Sequence, residues 1–460
     1  MNPTRLTAYG LLALDLVAIV LVFNVVGHFY GVPVSDHFQF SVYATPAACL
    51  VAAIYLIEGY KARTDMLSVD YASQHVIALL AAMLTTLLVA FAFVSGETDF
   101  ALHSSRLLIV LSFAALAPIT LGYRRLIHQT LGESRARRAL VFLGDRASCL
   151  AFRDECRKMH VAQPVVLSVL SEASAAPFGA DDGEVLRPFR AVIDDVERGD
   201  LAVESIVLRE SSRELMADAS RRLVQLYFRG VPTYTLELFH QVRWQKIPLY
   251  RLNQTWLFQE GFQIAREPVF ERLKRLSDIF LACVGLLVAA PLIALGALAV
   301  WLDDRGPVFF FQTRVGKNHA PFALVKLRTM RLGSAKGDAY TRPGDARITR
   351  VGRFLRASRL DELPQLWNVL RGDMSLIGPR AEWDRLVENY EREIPCYHFR
   401  HLVKPGITGW AQVNYPYGAN LEDTERKLEY DLYYIRHFSF ALDATIVLKT
   451  IHIMLFGKGR

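Results

Sequence analysis

Within its first 123 residues the chain carries four apolar runs, at 6–26, 40–57, 76–94 and 107–123, and the only charge inside them is Asp15. Each run is close to the about 20 residues a helix needs to cross hydrocarbon, where every backbone polar group must be paired within the segment. Buried helices of a soluble protein face no such requirement, so four charge-poor runs in succession predict a transmembrane four-helix bundle over residues 1–130. The 52% apolar content beside 22% charged residues fits a chain in which greasy and polar segments are segregated, and it excludes disorder. The first run continues with no cleavage-site pattern, so an anchor is expected rather than a signal peptide.

The connections 30–39 and 95–104 hold no Lys or Arg, while Arg5, Lys61, Arg63 and the cluster Arg124, Arg125, Arg135, Arg137 and Arg138 fall at the alternate ends. Both ends of the bundle are therefore expected to face the cytoplasm. Asp15 is read as bonding a neighbouring helix in preference to serving a functional site, the other use of an intramembrane carboxylate. Five scattered cysteines without ligand spacing predict neither a disulfide scaffold nor a zinc site.

Strand-like runs at 139–144, 165–170, 205–208 and 231–235 alternate with helical stretches, which predicts a Rossmann-like α/β module over residues 138–262. Its first turn reads G-D-R-A-S with Gly144 alone, so the glycine-rich pyrophosphate cradle is missing and a structural or regulatory role is expected.

Residues 279–302 form a fifth uncharged run with Pro291 near its centre. A straight helix of that length would reach roughly 36 Å, enough to cross a bilayer. A crossing would carry the basic remainder of the chain to the far side, against the charge rule, so a re-entrant helix broken at Pro291 is predicted instead. Between 305 and 359 stand thirteen Lys or Arg and two acids, Asp338 and Asp345. That run suits a lipid-headgroup face or phosphate-rich substrates, and no nucleic-acid reading motif accompanies it. The net charge of +7 agrees with anionic partners.

Asp361 and Glu362 then stand side by side ahead of an apolar helical stretch. Taken alone the pair reads as helix capping, with Ser358 and Asp361 at capping-box spacing and Pro364 in the first turn. Beside Arg356 and Arg380 the same carboxylates suit a diphosphate, one as nucleophile and one as ligand to a magnesium ion that offsets the meeting of two anions.

The motifs KRLSDI, FQTRVG, VKLRTM, LRASRLDELPQLWNVLRGDMSLIGPR and KPGITGWAQVN, spread from about 272 onward, resemble the catalytic domain of bacterial sugar transferases, the monotopic polyprenyl-phosphate phosphoglycosyltransferases. The bundle and α/β module resemble the large subgroup of that family. The resemblance implies transfer of a sugar 1-phosphate from a UDP-sugar to undecaprenyl phosphate, with release of UMP, through a covalent phosphosugar on Asp361. It assigns magnesium binding to Asp361 and Glu362 and phosphate contacts to Arg356 and Arg380. By the same similarity Arg314, Lys326, Arg328, Trp410 and Gln412 are candidate substrate-binding residues. It further implies a bacterial inner membrane, a mainly α catalytic domain over 268–460 on the cytoplasmic side, a homodimer, and downstream glycosyltransferases as partners in exopolysaccharide, capsule or O-antigen synthesis.

The sequence departs from the common family pattern at Asn414-Tyr415-Pro416-Tyr417-Gly418 and at Arg380-Ala381. The YPYG variant and the ending LFGKGR resemble the branch associated with exosortase-linked clusters. Tyr415 and Tyr417 are candidates to face the sugar or uridine, with a structural turn as the alternative. His398 and His401 invite an acid–base reading, but no charge partner is visible and a surface or core pair is preferred. Residues 438–456 read as an interfacial helix. Two other functions stay open: a catalytically vestigial membrane scaffold, and a sugar-nucleotide-modifying enzyme housed in the α/β module.

Overall fold

The computed structural model describes residues 3–29, 40–57, 59–60, 64, 66–93, 106–136, 138–159, 161, 163–169, 186–209, 217–249, 268–333, 345–415, 418 and 420–456. The connections 30–39 and 95–104 used for orientation lie outside them, as do Lys61, Arg63, Tyr417 and the last four residues. The described residues form two compact units, 1–239 and 240–460.

The first unit begins with four apolar helices, α1 (Pro3–Phe29), α2 (Phe40–Leu56), α3 (Val69–Phe93) and α4 (Arg106–Ala136). Ile19, Leu50, Ile54, Leu79, Phe113 and Leu116 make their common core, while Leu21, Leu84, Leu88 and Phe91 point outward. An apolar interior with an apolar exterior is the pattern of a membrane protein, not of a soluble bundle. Asp15 is fully buried and receives a two-pronged bond from Arg124 on α4, at 2.7 and 2.5 Å, together with the hydroxyls of Tyr60 and Tyr123. Arg124 therefore does not belong with the exposed basic cluster in which the sequence places it; a buried carboxylate needs a counter-charge, and Arg124 is that charge.

After the bundle come β1 (Ala139–Leu143), α5 (Arg146–Lys158), β2 (Val165–Val169), β3 (Arg187–Pro188), α6 (Phe189–Arg198), β4 (Val203–Leu208), α7 (Ala217–Phe228) and β5 (Thr233–Thr235). The strands build one parallel sheet in the order β3-β2-β1-β4-β5, with β1 central and wholly buried. Residues 187–198, which no sequence pattern flagged, supply its edge strand and a helix whose Phe189, Val192 and Ile193 face the core. At the start of α5 the Asp145 carboxylate accepts from Ser148 N at 3.0 Å and pairs with Arg209 at 2.7 Å. The donor that a phosphate would use there is already satisfied by a side chain.

The second unit takes residues 240–249 from the module in which the sequence places them. Trp410 Nε1 donates to Gln245 O at 2.9 Å, Ile247 N to Glu429 O at 2.9 Å, and Lys246 Nζ pairs with the Glu429 carboxylate at 3.2 Å. Ile247 joins the apolar core of this unit, and the buried charge of Lys246 is paired within it.

The dominant element is α8 (Pro268–Asp304), 37 residues long. Lys274, Asp278, Ala282, Ala289, Gly296 and Val300 are its buried positions, spaced by fours and sevens along one stripe. The stripe is fixed at both ends: Lys274 pairs with Asp443, Asp278 accepts from Ser375 Oγ and Leu376 N at 3.1 and 3.0 Å, and Asp304 accepts from Arg328 at 2.8 Å. The opposite face, Phe280, Leu287, Val288, Leu295 and Leu298, is bare, with Leu287 80% exposed. Pro291 lies inside this helix and does not end it, contrary to the expected break. Proline costs one backbone bond, and small residues on the packed stripe keep the helix seated on its neighbours to either side.

Beyond α8 a hairpin, β6 (Phe309–Val315) and β7 (Pro321–Leu327), leads to α9 (Arg350–Ala357), α10 (Gln365–Arg371), β8 (Ser375–Ile377), α11 (Asp384–Glu393), β9 (Gly406–Thr408), α12 (Trp410–Asn414), α13 (Leu421–Arg436) and α14 (Phe440–Phe456). The core of this unit gathers Ile377, Val387, Tyr390, Ile394, Tyr397, Trp410, Leu432 and Ile435.

Candidate active site

The turn that carries Asp361 and Glu362 is held by what precedes and follows it. Thr349 caps α9 by accepting from Gly352 N at 2.9 Å. Gly352 lies so close to Thr329 that a Cβ would fall 2.1 Å from its carbonyl oxygen, and this contact lets Arg356 Nε donate to Thr329 Oγ1 at 2.8 Å. After α9, Arg359 adopts a left-handed conformation (φ 56°) and the chain makes one 3-10 turn, Leu360–Glu362. Leu360 packs on Val300, Leu327 and Leu355, and Pro364 opens α10. Asn368 on α10 donates to Ala323 O at 2.8 Å and accepts from Val325 N at 3.1 Å, so α10 is locked to β7. Lys326, next along β7, reaches Glu362 Oε1 at 3.0 Å.

Arg380 arrives from another direction. Gly406 approaches Gly378 so closely that a Cβ would lie 2.1 Å from its nitrogen, and Arg380 bridges to Gly406 just past the parallel β8–β9 pair. Its guanidinium then lies 3.6 Å from Glu362 Oε1.

The two neighbouring carboxyls are set apart by these partners. Asp361 is 8% exposed, and among the described residues the hydrogen bond to its carboxyl comes from its own backbone N–H. Burial, reinforced by the charge of Glu362 and opposed by Lys326 and Arg356, raises its pKa to about 6. Burial also penalises the Glu362 anion, but the Lys326 ammonium and the Arg380 guanidinium outweigh it and bring its pKa to about 2. Near neutral pH both groups are ionised, Glu362 as an anion paired with cations and Asp361 as a desolvated carboxylate. The capping reading of the pair does not hold: the Ser358 hydroxyl donates to Phe354 O and Leu355 O, and the N-cap of α10, Pro364, has no side-chain bond.

Other candidates named from sequence fall into different places. Arg314 donates to Ala381 O at 2.9 Å and Gln312 Oε1 at 2.6 Å, and sits 3.9 Å from Glu382, within the field of the Lys326–Glu362 pair. Arg328 is spent on Asp304 and anchors the end of α8. Trp410 is buried at 1% exposure, bonded to Gln245 and capped by Lys449 4.4 Å from its ring centroid, a core position that offers no face to a ligand. Gln412 Nε2 donates to Ile407 O at 3.2 Å while its buried Oε1 has no hydrogen-bond partner. Tyr415 hydrogen-bonds Asp423 at 2.9 Å. Burial lowers His401 to about 3, which leaves it uncharged at neutral pH and removes it as a charged acid.

Sequence reasoning missed the layer behind Arg380. Arg400 donates to Arg380 O at 3.0 Å, to Asp431 at 2.9 Å and to the Tyr397 hydroxyl at 2.6 Å, and Glu382 is surrounded by Arg400, Arg380, Arg314 and Lys427. Arg400 and Asp431 stand 31 residues apart, and no local pattern joins them.

Asp361 and Glu362 are adjacent hard-oxygen donors, and among the described residues no other side chain bonds the Asp361 carboxyl, so the chemistry of the pair fits a magnesium ion. Burial lowers the pKa of Lys326; the Glu362 carboxylate opposes that shift, and the Arg380 and Arg314 guanidinium groups add to it.

The description "bacterial sugar transferase" belongs to the family model that matches residues 269–457, which include all of these groups. Over 269 residues the chain is 38% identical to a UDP-N-acetylgalactosamine-undecaprenyl-phosphate N-acetylgalactosaminephosphotransferase of Aeromonas hydrophila, covering 58% of this chain and 63% of that one. It is 46% identical over 182 residues to a UDP-glucose:undecaprenyl-phosphate glucose-1-phosphate transferase of Escherichia coli, covering 39% of each chain. With the protein of the same name in Caulobacter vibrioides, identity is 44% over 185 residues, covering 40% of this chain and 69% of that one. The match thus spans less than two thirds of the first two relatives and more than two thirds of the third. Because the Caulobacter vibrioides relative is 44% identical with 69% of its length covered, and the family model matches residues 269–457, the chain belongs to the bacterial sugar transferase family.

Proposed function

We propose that the protein transfers a sugar 1-phosphate from a UDP-sugar to undecaprenyl phosphate at the cytoplasmic face of a bacterial inner membrane, starting polysaccharide assembly. The observation that carries the proposal is the contrast between the Asp361 and Glu362 carboxyls, one desolvated and bound by no other side chain among the described residues, the other clamped by Lys326 and Arg380.

In the first half-reaction an Asp361 carboxylate oxygen attacks the sugar-bearing phosphorus of the donor. The anhydride bond to the α-phosphate breaks, UMP leaves with the bonding pair, and a phosphosugar ester forms on Asp361. In the second, a phosphate oxygen of undecaprenyl phosphate attacks the same phosphorus and the carboxylate departs. Glu362 holds Lys326 and Arg380 against the developing phosphate charge, and Arg356 closes the site from α9. A magnesium ion at the two carboxylates would neutralise phosphate charge.

A lipid-linked acceptor needs a site at the bilayer surface. Both ends of α8 bind the same polar unit, so the helix cannot carry its two ends to opposite sides of a membrane without dragging that unit into hydrocarbon. Its bare apolar face, with exposed Trp301 and the exposed run Phe309, Phe310 and Phe311, supports a helix that buries this face in one leaflet while both its ends stay on the same side.

The test is UMP release from UDP-glucose, UDP-galactose and their N-acetylated forms in the presence of undecaprenyl phosphate. Release with at least one donor, abolished in Asp361→Asn, is the expected result. No release with any donor in the wild type would favour a vestigial scaffold.

A further inference from the structure

A second cluster of donor atoms lies outside the acid pair. The turn between β6 and β7 runs through Lys317–His319, with Asn318 at φ 53° and His319 at φ 61°. Both are in the left-handed region that glycine tolerates and a side chain resists. Two successive strained residues in a hairpin turn put the His319 ring beside His401, at 4.7 Å between ring centroids. Glu391, near the end of α11, completes the group: its Oε1 is 3.5 Å from His319 Nδ1 and 3.9 Å from His401 Nε2.

These separations are too long for hydrogen bonds, and His401 carries the second observation. It is 6% exposed, and its Nε2 is buried with no hydrogen-bond partner. An orphaned buried nitrogen costs free energy unless something occupies its lone pair or takes its proton. The three donor atoms lie within 4.8 Å of one another. A tetrahedral ion with bonds of about 2.0–2.1 Å needs ligands about 3.3 Å apart, a contraction that the exposed side chains of His319 and Glu391 are free to make.

We propose that His319, Glu391 and His401 form a site for a divalent transition-metal ion of the zinc class, joining the β6–β7 turn to α11 and to the Tyr397–Leu402 turn. Two imidazoles and one carboxylate suit a borderline ion and leave one position for water, whereas magnesium prefers an all-oxygen shell. The spacing 319, 391, 401 forms no sequence motif, which is why no zinc site was expected from the cysteines and histidines. The ion would act on structure: the segment it secures carries Arg400, which holds the Arg380 carbonyl and Asp431. The proposal is independent of the sugar-transfer reading.

Cobalt(II) serves as the probe, because a tetrahedral nitrogen–oxygen site gives it intense visible absorption. The full chain in detergent micelles is titrated with cobalt and then with zinc, alongside His319→Gly, Glu391→Gln and Asp361→Asn. One cobalt per chain, displaced by zinc, is expected in the wild type and in Asp361→Asn. His319→Gly relieves the left-handed strain and so keeps the fold; it and Glu391→Gln are expected to weaken binding by at least about 10–100-fold. The zinc-loaded wild type is expected to unfold at higher temperature, and His319→Gly to show no such shift. Absence of the cobalt spectrum in the wild type, its loss in Asp361→Asn, or its persistence at full affinity in His319→Gly would overturn the assignment.

Discussion

In the proposed reaction Asp361 combines two properties that oppose each other in water: it must be ionised to attack phosphorus, and it must be stripped of solvent to be a strong nucleophile. Its raised pKa of about 6 is the compromise. The rate at limiting donor is therefore expected to fall about tenfold per pH unit below about pH 6, as the nucleophile protonates. An acid limb near pH 4 would mean that burial does not govern this carboxyl. The same shift has a stability consequence. Between the ordinary carboxyl value of 3.8 and about 6, the folded chain holds a proton that the unfolded chain has lost, so stability falls as pH rises through that window and stays reduced above it. Asp361→Asn is expected to be inactive yet more stable at pH 7.5, by about 1–3 kcal/mol, with the difference vanishing below about pH 4. Equal unfolding transitions at pH 7.5 would contradict this. Glu362 has the opposite sign: its contribution is complete above the usual carboxylate range and is lost only toward about pH 2.

At the scale of elements, α8 organises the catalytic unit, and its anchors differ in kind from the site residues. Arg328 and Asp304 form a pair in which Arg328 is almost wholly buried. Arg328→Ala leaves Asp304 without its guanidinium and is expected to cost about 3 kcal/mol or more of stability while leaving the donor KM within a few-fold of wild type. A large rise in KM with unchanged stability would return Arg328 to the substrate. The distinction was illegible in the sequence, where Lys326 and Arg328 share one motif. Alternation would put both on one face; Lys326, inside β7, reaches Glu362, whereas Arg328, just past the strand's end, reaches back to α8. The apolar helices were legible because hydrocarbon dictates their length and excludes charge, and the acid pair was legible through its motif. The two-residue strand Arg187–Pro188 is too short to show a period, and the Asp15–Arg124 pair joins positions 109 residues apart.

For the whole molecule, the central question is on which side of the membrane the residues after α8 lie. A Pro307→Cys substitution, at an exposed position in a background without the native cysteines, is expected to resist an impermeant maleimide in intact cells and to react once the membrane is opened. Labelling from outside would make α8 a crossing and would place Asp361 away from cytoplasmic UDP-sugars. The proposed reaction passes through a covalent bond to one side chain. Mass spectrometry of peptides from protein quenched during turnover, with the UDP-sugar that supports UMP release and no acceptor, addresses it directly. A hexose phosphate on Asp361 that is discharged by undecaprenyl phosphate is the predicted result; an adduct on another residue, or none while UMP is being released, would contradict it.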